Sequence, residues 1–121
     1  MRILVIEDNP VNSKLLCRRL SKKGYTITTA FSGEEGVEAA LSNQPDLILM
    51  DVGLPGMDGL EATRVLKTNS STRDIPIIAV TAYAMRDDQD AALAAGCNDF
   101  TTKPIIFETL IEKIEIFRDE A

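Results

Sequence analysis

The sequence predicts an α/β fold: a (βα)5 domain with a doubly wound, five-stranded parallel sheet. Three observations carry that expectation. Five short strand-like runs alternate with five stretches of helical periodicity. The first, third and fourth of these runs are almost continuously hydrophobic, as strands covered on both faces must be. Gly, Pro and Asn stand at most junctions, where a chain leaves one regular element for the next.

Ile3-Leu4-Val5-Ile6 is the first expected strand, closed by Glu7 and Asp8. Asn9-Pro10 opens a helix in which Val11, Leu15, Leu16 and Leu20 recur at helical spacing, and Gly24 stops it. The other side of that helix carries Lys14, Arg18, Arg19, Lys22 and Lys23. Tyr25 to Thr29 is the second strand. Ser32 reads as the cap of a second helix with Val37, Ala40 and Leu41 as its buried stripe. The third strand, Leu47-Ile48-Leu49-Met50-Asp51, lies between Pro45-Asp46 and a loop holding Gly53, Pro55 and Gly56. A third helix is expected from Gly59 to Lys67, with Leu60, Thr63 and Leu66 inward. Ile75 to Val80 is the fourth strand, Arg86 to Ala95 the fourth helix, Asn98 to Thr102 the fifth strand and Phe107 to Phe117 the fifth helix. Crossover handedness leaves the flavodoxin-like strand order 2-1-3-4-5 as the expected topology.

The 121 residues suit one domain, 1–121, with no room for an output domain after the last helix. A chain of that size buries about two-thirds of its unfolded surface. The net charge of −6 disfavours direct contact with nucleic acid. No apolar run is long enough to span a membrane, and no leader peptide fits the amino terminus, so a cytoplasmic protein is expected. Cys17 and Cys97 stand far apart and read as reduced, half-buried side chains. Histidine is absent, which leaves oxygen as the ligand set for any metal and points to a hard cation such as Mg²⁺, with Mn²⁺ as a substitute.

In the expected order, strands one and three are neighbours at the switch point, where ligands bind outside the carboxyl ends. Glu7 and Asp8 end strand one and Asp51 ends strand three. Three carboxylates in one crevice repel each other and raise one another's pKa values unless a cation joins them. Strand four brings the Thr81 hydroxyl to the same edge, and strand five brings the Lys103 ammonium. Each residue alone is an ordinary strand-end or turn residue; their concurrence at four strand ends is the signal.

With Glu7-Asp8, Asp51, Thr81-Ala82 and Lys103-Pro104, and with Leu54-Pro55-Gly56-Met57-Asp58-Gly59 after the central strand, the chain resembles the receiver domain of bacterial two-component response regulators. The resemblance runs from Ile3 to about Phe117. Thr81-Ala82-Tyr83-Ala84-Met85 and Gly96-Cys97 look like single-domain regulators of cell division and differentiation, and like receivers attached to hybrid histidine kinases. It implies that Asp51 is the phosphoacceptor. It further implies that Asp8, Asp51 and the Gly53 carbonyl bind Mg²⁺, that Glu7 assists through water, and that Lys103 contacts the phosphoryl oxygens. Thr81 and Phe100 would be the switch pair, and Lys103-Pro104 a cis peptide. Phe100 departs mildly from the more familiar tyrosine. The phosphodonor would be a sensor histidine kinase or a histidine phosphotransfer protein, since this chain has no histidine, and a downstream protein target would read the switched face.

Lys14, Arg18 and Arg19 are the expected docking residues on the first helix. Tyr83, two positions after Thr81, is expected either to shield the acyl phosphate from water or to serve the partner face. Two other classes are weaker. A Mg²⁺-dependent phosphatase with an aspartyl-phosphate intermediate needs a second acid two residues after the nucleophile, where Gly53 stands. A flavin module needs a phosphate-cradling first loop, and Glu7-Asp8-Asn9-Pro10 would repel phosphate. A docking-only receiver would not need the complete set of site residues.

Overall fold

The computed structural model describes residues 1–82 and 86–120. Its elements run β1 (Arg2–Ile6), α1 (Pro10–Lys22), β2 (Thr26–Ala30), α2 (Gly33–Asn43), β3 (Leu47–Asp51), α3 (Gly59–Thr68), β4 (Ile77–Thr81), α4 (Arg86–Ala95), β5 (Asp99–Thr102) and α5 (Phe107–Glu120). The strands form one parallel sheet in the order β2-β1-β3-β4-β5, as the sequence predicts.

Every residue of β3 and β4 is buried, which explains their uninterrupted apolar sequences. Alternate side chains enter opposite layers. Leu4, Ile6, Ile48, Met50 and Ile77 face Ala40 of α2, Ala62 and Leu66 of α3, and Ala92 of α4. Ile3, Val5, Leu47, Leu49 and Ile78 face Leu20 of α1 and Leu110 and Ile114 of α5. Each fully buried Leu or Ile contributes about 1.5–3 kcal/mol.

The helix starts are chemically explicit. The Asn9 side chain accepts from the amides of Val11 and Asn12 at 3.0 and 3.1 Å, with Pro10 in the first turn. Ser32 accepts from the Glu35 amide at 3.1 Å, and the Glu35 carboxylate accepts from the Phe31 amide at 3.1 Å. Asp58 accepts from the Glu61 amide at 2.9 Å. Gly24 lies at φ 94°, past the end of α1.

Several local expectations shift. Val11 and Leu15 are 66% and 54% exposed, because α1 packs through Ser13, Leu16, Cys17 and Leu20 instead. On that buried side the Ser13 hydroxyl lies 4.0 Å from the Cys17 sulfur. Leu41 is exposed because α2 approaches the sheet through Gly36 and Ala40; a Cβ on Gly36 would sit 2.4 Å from Ile6 Cδ1. β4 starts at Ile77 rather than Ile75, since the Ile75 amide turns back to the Thr72 carbonyl at 3.0 Å. Both cysteines are free as expected, but Cys97 is fully buried, beside the Thr63 hydroxyl at 3.7 Å.

Tyr25 ties the α1–β2 junction to α5. Its ring is buried, its hydroxyl donates to Glu115, and Arg118 lies 5.9 Å from the ring centroid. Burial first, and then Glu115, push the Tyr25 phenol up to about 12. The folded chain thus holds this proton more tightly than the unfolded chain. The resulting stability is present below pH 10 and lost as pH rises through about 12. At neutral pH, Tyr25→Phe should cost about 1 kcal/mol in denaturant unfolding. The gap between wild type and variant should close across that alkaline window, and a constant gap would exclude the linkage.

Candidate functional site

The register Ile6↔Met50 places the residue after β1 beside the last residue of β3. Glu7 and Asp51 are buried at 8% and 4% exposure, whereas Asp8 is exposed. Oxygens of Glu7, Asp8 and Asp51 all lie within 4.8 Å of one another. The predicted carboxylate crevice is therefore present.

The two buried carboxylates each accept a backbone amide. Asp51 Oδ1 accepts from the Gly53 amide at 2.9 Å, and Oδ2 accepts from Lys103 Nζ at 3.2 Å. Glu7 Oε1 accepts from the Asn9 amide at 3.1 Å, and Oε2 lies 3.5 Å from Lys103 Nζ. Lys103 is itself fixed, because its amide donates to the Thr81 carbonyl at 2.8 Å and the Lys103-Pro104 peptide is cis, as the resemblance implies.

The electrostatics follow from that crowding. Burial lifts the Glu7 carboxyl above its ordinary range, and the hydrogen bond and charge of Asp51 lift it further. The Asn9 amide and Lys103 oppose this and do not prevail. Burial pulls Lys103 down, yet Asp51 and Glu7 outweigh it and hold its ammonium above the usual lysine range. One ammonium does not balance three carboxylates. An all-oxygen donor set with surplus negative charge fits a hard divalent cation.

Thr81 ends β4 and is buried. Phe100 lies in β5 opposite Ala79, half-buried, with Lys113 Nζ 5.7 Å from its ring centroid. Lys113 also pairs with Asp99 at 3.2 Å. Tyr83 lies outside the described residues. The three expected docking residues of α1, Lys14, Arg18 and Arg19, do not line one cavity. Arg19 stacks on Phe107 at 4.1 Å and lines the cavity that reaches Glu7 and Lys103. Lys14 and Arg18 line a different cavity, against β2.

Two contributors escape sequence reading. Asn9, identifiable only as a helix cap, also supplies the amide that holds Glu7. Gly59, read only as a helix boundary, packs on the end of β3: a Cβ there would stand 2.2 Å from the Asp51 carbonyl oxygen. Its one available signal was its place just after Asp58 in a glycine-rich loop.

A doubly wound sheet whose switch point holds three carboxylates closed by a lysine defines a signalling module of the receiver class. Residues 3–115 match the family of response regulator receiver domains. The polar-differentiation response regulator DivK of Brucella ovis is 40% identical over 119 residues, covering 98% of this chain and 97% of that protein. The receiver domain of a sensor histidine kinase from Pseudomonas aeruginosa PAO1, solved with magnesium coordinated in its active-site cleft, is 38% identical. It covers 96% of this chain and 95% of its own, with a TM-score of 0.89. The chemotaxis protein CheY4 of Vibrio cholerae is 25% identical, with a TM-score of 0.90 over 96% of this chain and 97% of its own. The chain belongs to the response regulator receiver domain family of two-component signalling.

Proposed function

We infer that Asp51 accepts a phosphoryl group from a phosphohistidine on a partner, a sensor histidine kinase or a histidine phosphotransfer protein. The observation that carries this reading is the Asp51 carboxylate, buried at the end of β3, 3.2 Å from Lys103 and grouped with Glu7 and Asp8. An Asp51 oxygen attacks phosphorus, the phosphorus–nitrogen bond breaks, and the imidazole leaves with a proton taken from solvent. Lys103 is placed to hold a phosphoryl oxygen as charge spreads over the equatorial positions.

Asp8, Asp51 and the Gly53 carbonyl would hold Mg²⁺, or Mn²⁺ in its place, with Glu7 assisting through water. Bound there, the ion would supply charge neutralisation and alignment for the transfer. Thr81 and Phe100 act as the switch: new phosphoryl oxygens draw the Thr81 hydroxyl, and Phe100 follows into the vacated space. The module therefore signals by changing which protein it binds, and its only chemistry is gain and loss of its own phosphoryl group. Tyr83 remains assigned to the approach to Asp51 or to the partner face. Among the described residues no helix is long and apolar enough to cross a membrane, and a cytoplasmic location suits the role.

The donor docks in the cavity of about 570 Å³ between α1 and the start of α5. Leu15, Leu16, Ile105 and Phe107 form its apolar walls, Arg19 borders it, and Glu7 and Lys103 also line it. An apolar seat that includes crevice residues suits delivery of a phosphohistidine to Asp51.

Labelling by acetyl phosphate should require Mg²⁺ or Mn²⁺ and stop in excess EDTA. Asp8→Ala should weaken Mn²⁺ binding, followed by electron paramagnetic resonance, by about tenfold or more. Labelling undiminished in EDTA would rule the metal role out.

A further inference from the structure

Among the described residues β2 is an edge strand, with β1 on one side and no strand on the other. The amide of Thr26 donates to the Met1 carbonyl, and the Ala30 carbonyl accepts from the Glu7 amide. Those two bonds fix the phase of the ladder: Thr26, Thr28 and Ala30 turn their backbone groups to β1. Ile27 and Thr29 therefore point theirs outward. An outward row of this kind is a template for another strand.

The neighbouring helix α1 carries a stripe of cations, of which Lys14 and Arg18 share a cavity with Thr29 of β2. Lys14, Arg18 and Lys22 follow one another at four-residue spacing along α1, a helix with no Asp or Glu, and all three are exposed. None has an ion-pair partner among the described residues. Like charges at that spacing repel, so the helix alone gives no reason for the pattern. Lys14 and Arg18 also line a cavity of about 480 Å³ with Ser13, Ser21, Thr29 and Phe31. Phe31 is 45% exposed and stands just past the end of the strand.

We propose that the β2 edge, with the Lys14–Arg18 stripe beside it, is a second docking surface that takes an acidic, extended segment of a partner protein as a sixth strand. The outward groups of Ile27 and Thr29 would pair with the segment's backbone. Its acidic side chains would meet Lys14 and Arg18, and one apolar side chain would lie on Phe31. Glu35 already holds the Phe31 amide at 3.1 Å, so added pairing stops at Thr29. Charge complementarity selects the occupant: the stripe is cationic in a chain of net charge −6. The outward amides and carbonyls favour a polypeptide over a nucleic acid. Lys14 and Arg18 lie about 100° around the helix from Leu15 and Arg19, so this surface stays open while a phosphodonor occupies the other cavity.

The probe is a capped synthetic peptide of alternating Glu and Val, titrated into ¹⁵N-labelled protein at low salt. Shifts should centre on Ile27, Thr29, Phe31, Lys14 and Arg18, and amide exchange at Ile27 and Thr29 should slow by about tenfold. A backbone N-methylated peptide of the same sequence should not protect those amides. Reversal of charge in Lys14→Glu/Arg18→Glu should weaken binding by about tenfold or more while the remaining spectrum keeps its dispersion. Shifts on α1 without protection at Ile27 and Thr29 would overturn strand addition and leave only charge attraction. Absence of binding at millimolar peptide, or binding centred on another face, would overturn the surface itself.

Discussion

Asp51→Asn is expected to abolish labelling by acetyl phosphate and leave the fold intact. The amide keeps an oxygen to accept the Gly53 amide, so the local turn survives. It removes the negative charge that pairs with Lys103 and lifts Glu7, so the crevice becomes less crowded. No stability is lost through repulsion, while a neutral amide is a far poorer nucleophile than a carboxylate. Intact mass after incubation with acetyl phosphate and Mg²⁺ reads the result, with circular dichroism confirming the fold. Wild-type labelling in this variant would move the acceptor to another carboxylate of the crevice, Glu7 or Asp8.

The second large effect is expected at Gly59. Two terms oppose each other in Gly59→Ala. Alanine inside a helix is favoured over glycine by about 0.5–1 kcal/mol. Against this, the new Cβ would lie 2.2 Å from the Asp51 carbonyl oxygen and 2.8 Å from Val52 Cα. Both are backbone atoms at the end of the buried central strand, and backbone cannot swing aside as a flexible side chain can. Overpacking of this kind costs up to about 3 kcal/mol, so the net loss is about 2 kcal/mol, or about 8 °C in thermal midpoint. Labelling should slow as well, because the clash displaces Asp51, the proposed phosphoacceptor. A variant with a raised midpoint would show that the α3 start moves away from β3 freely.

The sheet order and the crevice were legible because each rests on a one-dimensional pattern. Uniformly apolar runs mark strands buried on both faces, and their carboxyl-end residues converge once the strand order is known. Glu7, Asp8, Asp51 and Lys103 came together for that reason. The rotation of α1 was not legible. Val11, Leu15, Leu16 and Leu20 fit a helical stripe as well as the buried set does, and only packing against β1 and β2 decides between them. Arg19 stands about 100° around α1 from Arg18, so residues that the sequence presents as one basic group line two different cavities. Gly59 was unread because its meaning depends on a neighbour eight residues back. The bonds of Lys67 to the carbonyls of Arg73 and Ile75 and to the Asn98 side chain depend on contacts spread over two loops.

The division of side chains along the strands has a consequence for how the molecule comes apart. Leu4 and Ile6 belong to one layer, while Ile3 and Val5, on the same five-residue strand, belong to the other. Ile48 and Met50 are likewise interleaved with Leu47 and Leu49. Neither layer can loosen without removing the wall on which the other rests. The two helical layers are thus parts of one cooperative unit, and opening of the central strands amounts to global unfolding. The acidic crevice is anchored to the last backbone to open.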